Sequence, residues 1–255
     1  MTEQSANPLP ISAIEERHRV ACRALGFTPA EEPGRPATPP GMAGRVEHTL
    51  LGVAATDADV ERLCREAREH AFRGVCCLPR DVPRCRELLA DSGVLIVTVL
   101  DFPLAGGTPA EAADECRRVI DAGADEVDMV VDVRALLEGD LGAARDKIAR
   151  VVEAAGSHPV KVILETGALS PQQLVDGCAV AEAGGAAYVK TATGFGPRGA
   201  SVEDIRIMRA CVGDRLGVKA SGGIRDRDDA ERMVDAGADV LGTSSGPACA
   251  GLPES

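Results

Sequence analysis

The chain has 255 residues, enough for a sizeable core, and its 45% hydrophobic and 27% charged residues describe a globular protein. Its formal net charge of −12 repels phosphate backbones and acidic lipid surfaces, which argues against nucleic-acid and membrane partners. An anionic ligand would have to be held locally, by helix N-termini or Gly-rich loops whose backbone N–H groups work despite an acidic surface.

Along the chain, Ser12 to Leu25 reads as one amphipathic helix, and Thr28 to Gly44 as a Pro-, Gly- and Ala-rich linker. Residues 1–44 are therefore expected to form an N-terminal extension, covering the bottom of the main domain or an interface, and residues 45–255 the main domain. From Arg45 onward, short apolar runs alternate with charged helical stretches, the pattern of repeated βαβ units. The expected strands are Val46–Leu50, Gly74–Leu78, Val94–Leu100, Glu126–Val131, Val160–Glu165, Ala187–Thr191, Gly217–Ala220 and Val240–Thr243. Helices are expected at Asp57–Ala71, Ala110–Asp121, Ser170–Glu182, Val202–Cys211 and Asp226–Asp235, several opened by a Ser, Thr or Asp cap. A weak repeat, DAGADEVDMV from Asp121, EAGGAAYVKT from Glu182 and DAGADVLGTS from Asp235, ends a helix on Gly and restarts a strand each time. Eight evenly spaced strands in a chain of this length favour an α/β fold of the (β/α)₈ (TIM) barrel type over an open doubly wound sheet.

With no Trp, one Tyr and four Phe, the core is expected to rest on Val, Leu, Ile and Ala, matching the aliphatic layers inside parallel barrels. The nine cysteines stand singly or as Cys76-Cys77, mostly inside apolar runs, and read as reduced core residues. None has zinc-finger spacing, and His18, His48, His70 and His158 lie far from any Cys-x-x-Cys pattern, so no metal is expected. The N-terminus has no apolar signal segment and no stretch approaches the ~18 apolar residues of a membrane span, so a cytoplasmic location is expected.

Barrel chemistry gathers at the C-terminal ends of strands. Lys190 and Lys219 both fall late in neighbouring apolar runs, whereas Lys161 starts its run. A strand-end lysine can be a salt-bridged structural residue, but two on adjacent strands invite another role. Attack on a carbonyl needs a neutral amine, so a pKa near ~10.4 must fall by about three units, roughly 4 kcal/mol. A second ammonium about 4 Å away supplies repulsion of that order at an effective dielectric near ~20. Asp128 is the one acid in the run from Val127 to Val131, and is either a structural partner for a lysine or a proton relay. Glu165 ends a strand and Glu47 lies in the first one; Glu47 is a candidate contact for a substrate hydroxyl, and either acid can instead serve an ion pair. Gly-rich turns follow strands six, seven and eight at Thr193–Gly196, Ser221–Arg225 and Gly242–Gly246, where many barrels hold phosphate. Glycine permits close backbone approach, and Ser244 and Ser245 add hydroxyl donors.

The segments YVKTATGFG from Tyr188, GVKASGGIR from Gly217, ADEVDMVVD from Ala124, VKVILETG from Val160 and VEHTLL from Val46 together resemble the deoxyribose-phosphate aldolase family, from about Arg45 to Gly246. The resemblance implies a (β/α)₈ barrel and a class I aldolase without a cofactor. It would cleave 2-deoxy-D-ribose 5-phosphate reversibly to D-glyceraldehyde 3-phosphate and acetaldehyde. It also implies that Lys190 forms the Schiff base, that Lys219 depresses its pKa and that Asp128 relays protons. Phosphate contacts would fall on Gly194, Gly222, Gly223, Ser244 and Ser245, with Thr193 beside them. Departures from the family pattern bear on the substrate. Glu47 stands for the usual Asp, Gly52 for a frequent Lys, Ala192 for a common Ser, and Asp101 for a frequent Gly before Phe-Pro, placing a new carboxylate near the mouth. The sequence ends at Ser255 without the terminal Tyr that some members use. A Schiff-base aldolase for another phosphorylated sugar, and a non-catalytic phosphosugar binder, remain alternatives, and homo-oligomerisation is left open.

Overall fold

The computed structural model describes residues 9–31, 34–37 and 40–252. Each expected apolar run forms a strand, with ends moved by at most two residues: β1 (Val46–Leu50), β2 (Gly74–Cys77), β3 (Leu95–Leu100), β4 (Glu126–Val130), β5 (Val160–Ile163), β6 (Tyr188–Lys190), β7 (Gly217–Ser221) and β8 (Val240–Thr243). All neighbours pair in parallel, and β8 returns to β1 to close the barrel. The helices are α1 (Ile11–Ala24), α2 (Asp57–Glu69), α3 (Val82–Leu88), α4 (Pro109–Asp121), α5 (Val133–Glu138), α6 (Leu141–Ala155), α7 (Pro171–Ala183), α8 (Val202–Val212), α9 (Arg227–Ala236) and α10 (Gly246–Ala250).

Local chemistry explains the helix boundaries. Thr56, Thr108 and Ser170 each form a reciprocal capping box with the residue three positions on, and Pro109 and Pro171 follow two of these caps. The repeated Gly after α4 and α9 adopts positive φ, 109° at Gly123 and 118° at Gly237, turning the chain from helix into the next strand.

Two packing layers separate along each strand, because successive side chains face opposite sides of a sheet. Val75, Ile96, Val127, Met129, Val162, Val189, Val218 and Leu241 belong to the large apolar layer between strands and helices. The barrel interior departs from the aliphatic expectation. Its β2–β3 side is apolar, with Cys76, Val97 and Val99 packed beneath Leu51, and Val130, Ile163 and Val240 add apolar side chains on the same inner face. The remainder holds Glu47, Glu126, Asp128, Lys161, Tyr188, Lys190 and Lys219, all buried. Gly217 makes room on the floor: a Cβ there would stand 2.1 Å from the Tyr188 ring.

The N-terminal segment lies elsewhere than on the barrel bottom alone. Helix α1 packs on the outer ring against α7 and α8. Its buried His18 pairs with Glu182 at 3.1 Å, and Arg215 holds the other oxygen of the same carboxylate at 2.5 Å. The linker does reach the bottom rim, where the backbone N–H groups of Gly34 and Arg35 donate to the Asp214 carbonyl and Arg35 pairs with Asp239. His18, Cys22 and Glu182 form the one group of possible metal-ligating atoms among the described residues, all within 4.8 Å of one another. Its members are already engaged: Glu182 is held between Arg215 and His18, and burial, followed by Glu182, pushes the Cys22 thiol up to about 12. All nine cysteines are free and buried. No helix among the described residues is long and apolar enough to cross a membrane.

Candidate active site

The interior charges form one connected network whose members come from five strands and one loop. Register places Lys190 beside Lys219 and Asp128 beside Lys161. Asp128 Oδ2 accepts from Lys190 at 2.7 Å and from Lys219 at 2.6 Å, while its Oδ1 accepts from Lys161 at 2.9 Å. Lys219 also donates to Glu47, and Lys161 pairs with Glu126 at 2.6 Å. Below them Arg73, just ahead of β2, donates to Glu47 and makes a two-point contact with Glu126 at 2.6 and 2.9 Å. Arg73 and Lys161 lie over the Tyr188 ring at 5.8 and 5.6 Å from its centroid, a cation–π arrangement that seals the floor.

The two sequence-nominated lysines have opposite electrostatics. Burial, the largest effect, drives Lys190 below the ordinary lysine value; Asp128 opposes this and Lys219 reinforces it. The dominant cause is thus desolvation rather than the second ammonium alone. For Lys219 burial also favours the neutral amine, but Asp128 and Glu47 outweigh it and hold the group above its usual value. Lys161 is held up in the same way by Asp128, Glu47 and Glu126. Burial would raise the acids, yet the surrounding lysines keep Asp128 well below the carboxylate range, and Lys161, Lys219 and Arg73 hold Glu47 down to about 2.

Above this floor opens a cavity of about 290 Å³ that joins Lys190, Thr193, Gly194, Gly222, Gly223 and Ser244. Lys190 is therefore the interior lysine that meets the mouth, while Lys219 and Asp128 lie beneath it. Thr193 is fixed by Glu165, whose Oε2 accepts from its hydroxyl at 2.5 Å and from its N–H at 3.3 Å. Gly222 is needed for a close approach: with φ of 87°, a Cβ there would come within 2.9 Å of Gly199 Cα. Two expected contacts lie away from this cavity. Ser245 lines a neighbouring cleft with His48 and Glu66, and its N–H is given to Thr243 Oγ1 at 2.9 Å. Glu47 is fully buried below the mouth, with Arg73 and Lys219 on its carboxylate, so its longer side chain serves the charge network.

Sequence reasoning passed over four residues. Lys161 starts its apolar run in the sequence, but the stagger of the barrel puts that position level with Asp128. Arg73 precedes its apolar run, while Glu126 opens the run Glu126–Val131 two residues before Asp128, a spacing that puts both acids on one face of β4. Arg225 lines the mouth and is, besides Lys190, its only charged side chain among the described residues.

Asp101 does not add a carboxylate to the mouth. Its backbone turns at φ of 51° and the side chain points to α6, where it accepts from Lys147 at 2.5 Å and from the Gly107 N–H at 2.8 Å. Lys147 also donates to the carbonyls of Ala105 and Gly107, stapling the whole β3–α4 loop. Phe102 in that loop meets Phe195 of the β6–α8 loop edge-on at 5.5 Å between centroids. Replacing Lys147 with Met strands a largely buried carboxylate, so unfolding in urea should show a loss of about 3 kcal/mol. Gly52 lies on the mouth lining and Ala192 is buried near Gly222. The sequence end at Ser255 lies outside the described residues.

Residues 42–249 match the model of the DeoC/LacD family of aldolases. The chain belongs to that family. Among curated relatives of this aldolase family, the deoxyribose-phosphate aldolase of Brevibacillus brevis is 50% identical over 201 residues, covering 79% of this chain and 91% of the relative. The enzyme of the same name from Caldicellulosiruptor saccharolyticus is 44% identical, covering 81% of this chain and 96% of its own. The tetrameric deoxyribose phosphate aldolase of Aeropyrum pernix superimposes with a TM-score of 0.76 at 29% identity, covering 95% of this chain and 97% of the other.

Proposed function

We propose that this family member cleaves 2-deoxy-D-ribose 5-phosphate reversibly to D-glyceraldehyde 3-phosphate and acetaldehyde, through a Schiff base on Lys190. The observation that carries the reading is a buried lysine, disfavoured as an ammonium, at the base of a mouth ringed by Gly-rich turns. The names of its full-length relatives support the substrate.

In this mechanism the neutral Lys190 amine attacks C1 of the open-chain aldehyde, and loss of water leaves an iminium. Removal of the proton from the C3 hydroxyl lets the C2–C3 bond break, its electron pair passing into the iminium to give an enamine and release glyceraldehyde 3-phosphate. Protonation at C2 and addition of water then free acetaldehyde and Lys190. Asp128 Oδ2, shared by Lys190 and Lys219, offers a route by which protons reach and leave the reacting nitrogen. Backbone N–H groups at Gly194, Gly222 and Gly223, with the Ser244 hydroxyl, would hold the phosphate, and Arg225 adds a positive charge beside them. Ser245 and Glu47 are assigned supporting roles, and Thr193 positions the first of these turns.

We place the protein in the cytoplasm, acting on a small phosphorylated sugar rather than nucleic acid. A homo-oligomer is in keeping with the tetrameric relative from Aeropyrum pernix. Borohydride reduction during turnover of deoxyribose 5-phosphate, followed by peptide mass spectrometry, tests nucleophile and substrate together. An adduct on Lys190 is expected; labelling only with a different phosphorylated sugar would overturn the substrate, and labelling elsewhere the nucleophile.

A further inference from the structure

The buried network contains four cationic side chains, Arg73, Lys161, Lys190 and Lys219, but three carboxylates, Glu47, Glu126 and Asp128. An excess buried charge is costly, so one cation is under pressure to shed a proton. Geometry selects which. Arg73 contacts two carboxylates and cannot deprotonate; Lys161 contacts three and Lys219 two. Lys190 contacts only Asp128, and through the same Oδ2 that Lys219 already uses.

We propose that Arg73 is a positioning residue for Lys190: by occupying Glu47 and Glu126 at the foot of the barrel, it leaves the interior one carboxylate short and keeps Lys190 unprotonated. This rests on the Schiff-base reading of Lys190 for its catalytic meaning, but the charge count stands independently of the substrate. Arg73 touches neither the mouth nor Lys190, so it acts through the others.

One further buried acid stands near the mouth: Glu165, just beyond β5, is bound to the Thr193 hydroxyl and N–H and pairs with none of the four cations. Glu47 comes from β1, Glu126 and Asp128 from β4, Lys161 from β5 and Lys219 from β7. Burial raises both the Cys76 thiol on β2 and the Tyr188 phenol on β6, so each stays neutral. The β3 and β8 positions, Val97, Val99 and Gly242, carry no charge. At the mouth, Arg225 is an exposed cation able to move away into solvent.

The test is the pH dependence of kcat/KM for deoxyribose 5-phosphate cleavage. A neutral Lys190 is needed, so the acidic limb marks the pH at which it loses its proton. In Arg73→Met three cations face three acids, Lys190 keeps its proton to higher pH, and the limb should move alkaline by about one unit. That is roughly a tenfold loss below the limb, recovered above it. Glu126→Gln removes an acid and should move the limb the opposite way. The double variant Arg73→Met/Glu126→Gln restores a surplus of one cation and should return the limb towards its original place, as should Arg73→Lys. Circular dichroism confirms folding, and Glu126→Gln with Arg73→Lys decides the matter if Arg73→Met does not fold. A uniform loss of activity with an unmoved limb, or shifts of the same sign in both single variants, would overturn the proposal. The acetylation rate of Lys190 by acetic anhydride, followed across pH by mass spectrometry, reads the same protonation without substrate. Failure of deoxyribose 5-phosphate cleavage with the acetylation shifts intact would therefore fault the assigned activity and leave the role of Arg73 standing.

Discussion

Replacing Lys190 with Ala should reduce deoxyribose 5-phosphate cleavage by roughly 10⁴-fold or more and abolish the borohydride adduct. No other interior lysine can substitute. Lys219 and Lys161 are fully buried, each bonded to at least two carboxylates and held in the charged form. Neither lines the mouth. The fold should survive the change, because without Lys190 the three cations Arg73, Lys161 and Lys219 still face three carboxylates. Ligand binding by the turns should then persist while turnover is lost. Substantial turnover by this variant would sink the Schiff-base assignment, and an inactive wild type that still binds the sugar phosphate would favour a binding protein.

Asp128→Asn should damage both stability and rate. Asp128 is completely buried and accepts from three lysines, so its neutral isostere leaves Glu47 and Glu126 to balance Arg73, Lys161 and Lys219. Uncompensated buried charge of this kind costs about 3–5 kcal/mol, a large part of the ~5–15 kcal/mol that holds a typical domain together. Urea unfolding should show a lower midpoint of that size. Catalysis should fall by a further ~10²–10⁴-fold, the usual worth of a positioned proton-transfer group, because the shared Oδ2 no longer links Lys190 to Lys219. A variant with native stability and rate would show that the three lysines do not depend on this carboxylate.

Much of this arrangement is legible in the amino-acid sequence because strand chemistry is local. Apolar runs such as Val94–Leu100 and caps such as Thr108 mark elements without reference to the rest of the chain. Lys190, Lys219 and Asp128 stand out because each interrupts an apolar run, and the barrel brings such interruptions together. Stagger between strands is not local, which is why Lys161, at the start of its run, lies level with Asp128. Long-range pairing is equally silent. Nothing around Asp101 announces Lys147, 46 residues later, and nothing around Arg73 announces Glu126, 53 residues later. An acid that read as a change in substrate polarity is a loop tether, and an arginine that read as nothing is the floor of the site. The near absence of aromatics correctly described the outer layer, yet composition cannot say which side of a strand each residue faces.

The interior charges also divide the barrel by order of synthesis. The acids Glu47, Glu126 and Asp128 stand on β1 and β4, with Arg73 ahead of β2, while β5, β6 and β7 bring only lysines. The first half-barrel is thus electronegative within and the second electropositive. Two copies of one half would confine like charges in a dry space, whereas the two different halves neutralise each other. The same residues proposed to set the charge of Lys190 therefore favour closure of unlike halves over like ones.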